Sequence, residues 1–302
     1  MMRRMSGDAL GVSVGLVGFP LGQLDATVDA SPHETVTRIA RAAEDSGFDF
    51  LCAQDHPMAP REWVGERNTG KTWFEPWVTL AWAGAVTSRV KLCTDIVVLP
   101  YRSPFITAKA ASSLDALSNG RIILGVAAGY LEREFAIIGA EFARRGDWTD
   151  EAIEAIKAAW TTEWVSFEGE FVRAHDVAVS PRPVQQPRPP IWVGGNSMRA
   201  LRRGVEHGDG WTPFLGDSAK IGGMLDHART SFGLPDGFSV AVPIRRGVYS
   251  EDGSAIDADS IRRQVDALRS IGVTHVRVGF RGPTLDGYIA ALETFGEQIL
   301  TR

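Results

Sequence analysis

Apolar and polar positions along the chain repeat with two periods, one helical and one strand-like. Residues 10–19 form a nearly continuous apolar run with interspersed glycines, closed by Pro20, and read as a buried first strand. Val36, Ile39, Ala40 and Ala43 recur at helical spacing between Ser31-Pro32 and Gly47, and a short apolar strand over 48–53 follows. The same unit of helix, stop and strand recurs along the chain. Helices over 76–87 and 104–117 precede strands over 90–99 and 121–127. A helix over 147–160 leads, after an interruption, to a strand over 191–193, and a helix over 198–206 to a strand over 210–212. A helix over 219–231 precedes a strand over 238–248, and a helix carrying Ile261, Val265 and Leu268 precedes one over 273–280, before a last helix over 285–299.

Strands that alternate with helices require a parallel sheet with right-handed crossovers, and eight of each is the number at which the sheet closes. The pattern therefore predicts an α/β fold of the (β/α)8 TIM barrel type. An open doubly wound sheet is the alternative, but its Gly-x-Gly-x-x-Gly turn is missing after the first strand. One barrel domain over 1–302 accounts for the length, with insertions near 56–74 and 161–189. Long loops in a compact domain tend to be functional. The second insertion holds a possible hairpin over 165–179, and Pro181, Pro183, Pro187, Pro189 and Pro190 then give a stiff, extended approach to the fifth strand.

Composition narrows the partners. With 44% hydrophobic and 23% charged residues the chain is an ordinary folding one, and its net charge of −5 offers no counterion-release gain on a polyanion, so nucleic acid is not expected. Cys52 and Cys93 lie in apolar runs without CxxC spacing, which predicts neither a metal site nor a redox pair and fits a reducing cytoplasm. Arg3 and Arg4 are not followed by a signal-type apolar stretch, and no apolar run reaches membrane-spanning length, so a cytoplasmic protein without membrane insertion is the expectation.

Two motifs mislead. Residues 65–72, from Gly65 to Thr72, satisfy the P-loop pattern, but Pro57, Pro60, Arg61 and Glu62 stand where a buried strand is required, and Pro76 would interrupt the phosphate-binding helix. Gly11-Val12-Ser13-Val14-Gly15 matches the hydrolase nucleophile elbow, yet the strand continues and no helix starts after Gly15. A polar loop and a plain strand are the better readings. By contrast, Ile191-Trp192-Val193-Gly194-Gly195-Asn196-Ser197 runs a buried strand straight into a helix, where free amides and the helix dipole can hold a phosphate; a simple turn with an N-cap is the competing reading. Gly125 to Tyr130 ends the fourth strand with small residues, which either leave room for a flat ligand or simply pack well. Asp55-His56 places two titratable groups at the end of the second strand, while Glu132 and Glu134 suit a helix start for dipole reasons alone.

Together these segments resemble the luciferase-like flavin monooxygenase superfamily, in particular its coenzyme F420 (deazaflavin)-dependent oxidoreductase branch. The likeness is carried by Ala43-Glu44-Asp45-Ser46-Gly47-Phe48-Asp49, Gln54-Asp55-His56, Leu114-Asp115 with Ser118-Asn119-Gly120-Arg121, Gly125 to Gly129 with Glu132, and Ile191 to Ser197 with Gly208-Asp209-Gly210-Trp211. The resemblance implies a cofactor, coenzyme F420 or alternatively FMN, with its ring at the C-terminal mouth of the barrel. Gly194, Gly195, Asn196 and Ser197 would hold its phosphate, Gly129 and Tyr130 would flank it, and Asp55 and His56 would be catalytic near the reacting ring face. Thr94, Asp95 and Ile96 match a bulge in the third strand, often with a non-prolyl cis peptide, that supports the ring from behind. Two residues depart from the pattern: Asp95 stands where relatives carry a small residue, and Pro60 stands where the deazaflavin sugar-phosphate dehydrogenases carry tryptophan.

The implied activity is hydride transfer between coenzyme F420 and a small organic substrate. Alternatives are a reduced-FMN-dependent monooxygenase using oxygen and, from another class, a non-catalytic flavin-binding protein. Arg199, Arg202 and Arg203 are either a basic rim for the acidic tail of the deazaflavin or a solvated helix face. Superfamily members commonly dimerise, which leaves a homodimer open, although no interface can be read from these residues, and substrate choice is expected to lie in the loops 56–74 and 161–189.

Overall fold

The computed structural model describes residues 11–15 (side chains to residue 12), 31–58, 61, 73–214, 216–244, 248–250, 255–280 and 284–300. Its strands are β1 (Gly11–Gly15), β2 (Phe50–Ala53), β3 (Lys91–Thr94), β4 (Val97–Val98), β5 (Ile122–Ala127), β6 (Val165–Glu168), β7 (Arg173–Val177), β8 (Ile191–Gly194), β9 (Gly210–Thr212), β10 (Ser239–Ile244) and β11 (His275–Val278). Eight of them pair in parallel around a closed ring, β1 to β2, β3, β5, β8, β9, β10, β11 and back to β1. β4 continues the third strand and pairs onward with β5. This is the (β/α)8 barrel that the alternation predicts.

The helices are α1 (Pro32–Asp45), α2 (Pro76–Val86), α3 (Pro104–Leu117), α4 (Glu132–Ile138), α5 (Arg145–Thr161), α6 (Met198–His207), α7 (Ser218–Ser231), α8 (Ala258–Ser270) and α9 (Leu285–Phe295). α1, α2 and α3 each begin with proline, whose fixed φ suits the first helical position. Asp217, Asp257 and Thr284 cap α7, α8 and α9 by accepting from first-turn N–H groups. Outward strand residues such as Leu51, Leu92 and Val276 pack against the helices' apolar stripes. Inside the ring, Phe50, Cys52, Cys93, Ile123, Trp192 and Ala241 form a separate core. The rings of Phe50, Trp192 and His275 meet there at centroid distances of 5.5, 5.6 and 4.8 Å. Gly11 is glycine for this layer's sake, since a Cβ would lie 2.3 Å from His275 Cδ2.

The structure departs from the sequence expectation at three places. The strand that the apolar run predicts over 90–99 is two pieces, β3 and β4, and between them Asp95–Ile96 is the non-prolyl cis peptide that the resemblance implies at Thr94, Asp95 and Ile96. A short helix, α4, follows β5; it starts where Glu132 and Glu134 suit a helix start, but its seven residues are too few to show a helical period, so the sequence does not predict its extent. The insertion 161–189 holds the hairpin β6–β7, but its return belongs to the barrel's N-terminal end rather than to the mouth. There Asp115 accepts from the N–H groups of Val184 and Gln185 at 2.8 and 3.0 Å, and Gln185 Nε2 reaches the Ile122 carbonyl at 2.9 Å. Only the hairpin tip climbs back along α5, where Glu170 pairs with Arg144 at 2.5 Å. The P-loop-like stretch 65–72, Pro60, most of the insertion 56–74, and positions 16–19 of the first strand lie outside the described residues. Among the described residues no helix is long and apolar enough to cross a membrane, and no cluster of His, Cys, Asp and Glu has metal-binding geometry.

Candidate active site

Period-two alternation carries Cys93 and Asp95 on one face of the third strand, and His275 and Arg277 on one face of β11. The inner faces of these strands therefore end, at the C-terminal mouth, in a polar layer above the apolar one. Arg277 Nη1 donates to Asp95 Oδ1 at 2.6 Å and also to Thr212 Oγ1, and its Nη2 donates to the Pro213 carbonyl at 2.5 Å. Thr212 Oγ1 donates to the same Asp95 Oδ1 at 3.2 Å. The carboxylate that departs from the family pattern is thus neutralised across the barrel by Arg277. Sequence reading missed Arg277, although its parity with His275 was there to be read.

Asp55 and His56 leave β2 in different directions. Asp55 accepts from Arg102 Nη1 and Nη2 at 2.6 and 3.0 Å and from the Val98 N–H at 2.9 Å. It therefore ties β2 to β4 and to the 3-10 turn Leu99–Tyr101, and both its oxygens are engaged. His56 Nδ1 stands 3.4 Å from Glu134 Oε1, and Tyr101 donates its hydroxyl to Glu134 Oε2 at 2.7 Å. Glu134 is buried at the start of α4, so it orients the imidazole as well as favouring the helix dipole. Burial raises the Tyr101 hydroxyl above its ordinary range, and the adjoining Glu134 carboxylate adds to this, so Tyr101 stays protonated. The Trp73 ring lies 4.7 Å from the His56 ring, and Tyr130 lies 6.4 Å away. Trp73 Nε1 is buried and has no hydrogen-bond partner among the described residues.

At the end of β8, Gly195 has φ +134° and its Cβ would meet Ala200 Cβ at 2.8 Å, so only glycine turns the chain here. Asn196 Oδ1 accepts from the Phe214 N–H at 2.7 Å, which turns its NH2 outward. Ser197 caps α6 by accepting from the Ala200 N–H at 3.2 Å and keeps its hydroxyl hydrogen for another acceptor. The N–H groups of Met198 and Arg199, in the first turn, have no partner in the helix ladder by construction. This all-donor set fits a phosphate. The phosphate of a flavin or deazaflavin is an anion that such a set could hold.

The other small residues have a different explanation. A Cβ at Gly125 would lie 1.9 Å from the Thr94 carbonyl oxygen, and Thr94 Oγ1 both donates to and accepts from the Gly125 backbone at 2.8 Å. A Cβ at Gly194 would meet Ile96 Cγ2 at 2.9 Å, and one at Gly129, with φ +79°, would meet Val98 and Phe135. These glycines admit the bulge and its neighbours. Tyr130, 64% exposed, remains at the rim. The basic rim is also paired: Arg199 with Asp147 at 2.5 Å, Arg202 with Glu206 at 2.6 Å, and Arg203 with Asp150. Ser13 sits inside a continuous strand paired to Phe50 and Arg277, not on an elbow.

Comparison with known proteins places the chain in a family. Residues 16–284 match the model of the luciferase-like monooxygenases. An uncharacterized protein of Mycobacterium tuberculosis is 32% identical over 87% of this chain and 94% of its own length. The F420-dependent glucose-6-phosphate dehydrogenase of Intrasporangium calvum is 34% identical over 60% of this chain and 53% of its own. The FMNH2-dependent dimethylsulfone monooxygenase of Pseudomonas putida is 29% identical over 83% and 69%. The crystal structure of the monooxygenase RslO1 from Streptomyces bottropensis shares the fold, with a TM-score of 0.81 at 20% identity over 96% of this chain and 99% of that one. The chain belongs to the luciferase-like monooxygenase family, whose members are F420- or FMN-dependent oxidoreductases and monooxygenases.

Proposed function

We propose that this protein binds coenzyme F420 at the barrel mouth and transfers a hydride between it and a carbon bearing the oxygen of a small alcohol or carbonyl substrate. Bound there, the deazaflavin ring supplies hydride acceptor and donor chemistry. The observation that carries the reading is the unpartnered, buried Trp73 N–H beside His56. Leaving a buried donor unmade costs about 1–3 kcal/mol, and an indole N–H can only donate, so an acceptor on the ligand is the natural partner. A substrate oxygen held by Trp73 Nε1 lies within reach of the imidazole. Glu134 faces His56 Nδ1 and orients the ring, and the imidazole is the group that would exchange a proton with that oxygen as acid or base. Asp55, saturated by Arg102 and the Val98 N–H, acts as a positioning residue. Asn196, Ser197 and the first turn of α6 hold the phosphate, with Gly194 and Gly195 shaping the turn.

The paired arginines favour a second reading, in which FMN takes the same site and the reaction is an oxygen-dependent monooxygenation. With Arg199, Arg202 and Arg203 each facing a carboxylate, the acidic tail that distinguishes the deazaflavin gains little from this rim. Spectrophotometric turnover of each cofactor with a panel of small secondary alcohols tests both. The expected outcome is alcohol-dependent reduction of F420 that falls about 10²–10⁴-fold in His56→Ala and raises KM in Trp73→Phe, with cofactor affinity unchanged. Oxygen-dependent oxidation of reduced FMN without any F420 reduction would overturn the first reading in favour of the second.

A further inference from the structure

At the mouth end of their strands, Asp95 and Arg277 leave part of their bonding capacity unused among the described residues. Both hydrogen bonds to Asp95 fall on Oδ1, from Arg277 and Thr212, and Oδ2 carries none among the described residues. Arg277 uses Nη1 for Asp95 and Thr212 and Nη2 for the Pro213 carbonyl, and its Nε–H is unbonded among the described residues. The two side chains are 11% and 12% exposed. The Phe50, Cys93 and Trp192 layer closes the barrel beneath them. A ligand can therefore reach them only from the mouth, where it meets a carboxylate acceptor side by side with guanidinium donors. That arrangement complements a ligand edge on which an N–H adjoins a carbonyl, as in a cyclic imide.

We propose that Asp95 and Arg277 form the cradle for the pyrimidinedione edge of the cofactor ring. Asp95 Oδ2 accepts from the ring N3–H, and Arg277 donates to a neighbouring ring carbonyl. The inference rests on the reading that a flavin or deazaflavin occupies the mouth, and both rings carry this edge, so it holds for either. A carboxylate alone would repel the ring carbonyls and the charge that builds on reduction, and a guanidinium alone would leave N3–H unpaired. The pair supplies both partners at near-zero net charge, which explains how an acid is tolerated where relatives carry a small residue.

The test compares the affinities of FMN and N3-methyl-FMN, and of F420, by quenching of tryptophan fluorescence, in the wild type, Asp95→Asn and Arg277→Met, with far-UV circular dichroism as the folding control. The wild type is expected to bind FMN about 10–100-fold more tightly than the N3-methyl analogue. In Asp95→Asn, Arg277 and Thr212 keep the amide oxygen and turn the NH2 toward the ring edge, so FMN binding weakens and the preference over the analogue falls to about unity. The side chain is the same size, so a preference that was merely steric would persist and overturn the proposal. Arg277→Met is expected to weaken FMN and its analogue alike, because both keep the carbonyls. If a variant fails to fold, the wild-type ratio decides: equal affinity for FMN and the analogue sinks the cradle while leaving the cofactor site standing. Failure of the wild type to bind FMN or F420 at all would instead remove the cofactor reading and the cradle with it.

Discussion

Asp55 is 5% exposed, and its neighbours absorb its charge completely, whereas Glu134, equally buried, leaves one oxygen for an imidazole. The same chemical group thus fixes the backbone at one position and orients the His56 imidazole at another. Replacing Asp55 by Ala strips Arg102 and the Val98 N–H of their partner. Because Arg102 keeps 20% of its side-chain surface, we expect a loss of about 3 kcal/mol in urea unfolding, at the low end for a broken buried pair. His56→Ala is expected to change unfolding by no more than about 1 kcal/mol while lowering turnover about 10²–10⁴-fold. The Asp-His pair was legible because its two members are adjacent in the chain. Arg102, Tyr101, Trp73 and Arg277 were not, because each meets its partner only through tertiary contact, and nothing in local spacing links residue 95 to residue 277.

The third strand shows what an element-level reading catches and what it misses. An apolar run over 90–99 announces a buried strand, but the break between Thr94 and Val97 leaves no mark on hydrophobic period. Its imprint lies instead on the neighbouring strand, at Gly125, where the Thr94 carbonyl occupies the place of a side chain. Gly125→Ala is therefore expected to destabilise by more than about 3 kcal/mol, because backbone must move. Gly139→Ala, at the end of α4 with φ +80° and open space around it, is expected to cost only about 1 kcal/mol. Thermal unfolding of the two variants side by side checks the contrast. Helices with a proline start and a clear stop, such as α3 over Pro104–Leu117, could be read to the residue. The seven residues of α4 could not, and so the support that Glu134 gives to His56 stayed hidden.

At the scale of the whole molecule, barrel closure places an imidazole in the interior. Burial, reinforced by Lys91, holds His275 down to about 4 from its ordinary 6.5. The unfolded chain takes this proton first, so the stability is complete above about pH 6.5 and is lost as pH falls through that value toward 4. The shift corresponds to a loss on the order of 3 kcal/mol, and His275→Leu is expected to flatten that part of the urea-midpoint profile. The ring of eight strands was legible because the count of repeating units dictates closure, while the pairing of charges across its interior was not. The proposed function hangs on one expectation about this closed ring, that its mouth and the turn into α6 together would hold a phosphorylated flavin or deazaflavin. The most direct measurement is quenching of the chain's nine tryptophans by F420 and by FMN, in the wild type and in an Asn196→Ala, Ser197→Ala variant. Micromolar binding of at least one cofactor by the wild type, weakened at least about 10-fold in the variant, is the predicted result. Binding of neither cofactor, or equal binding by the wild type and the variant, would contradict it.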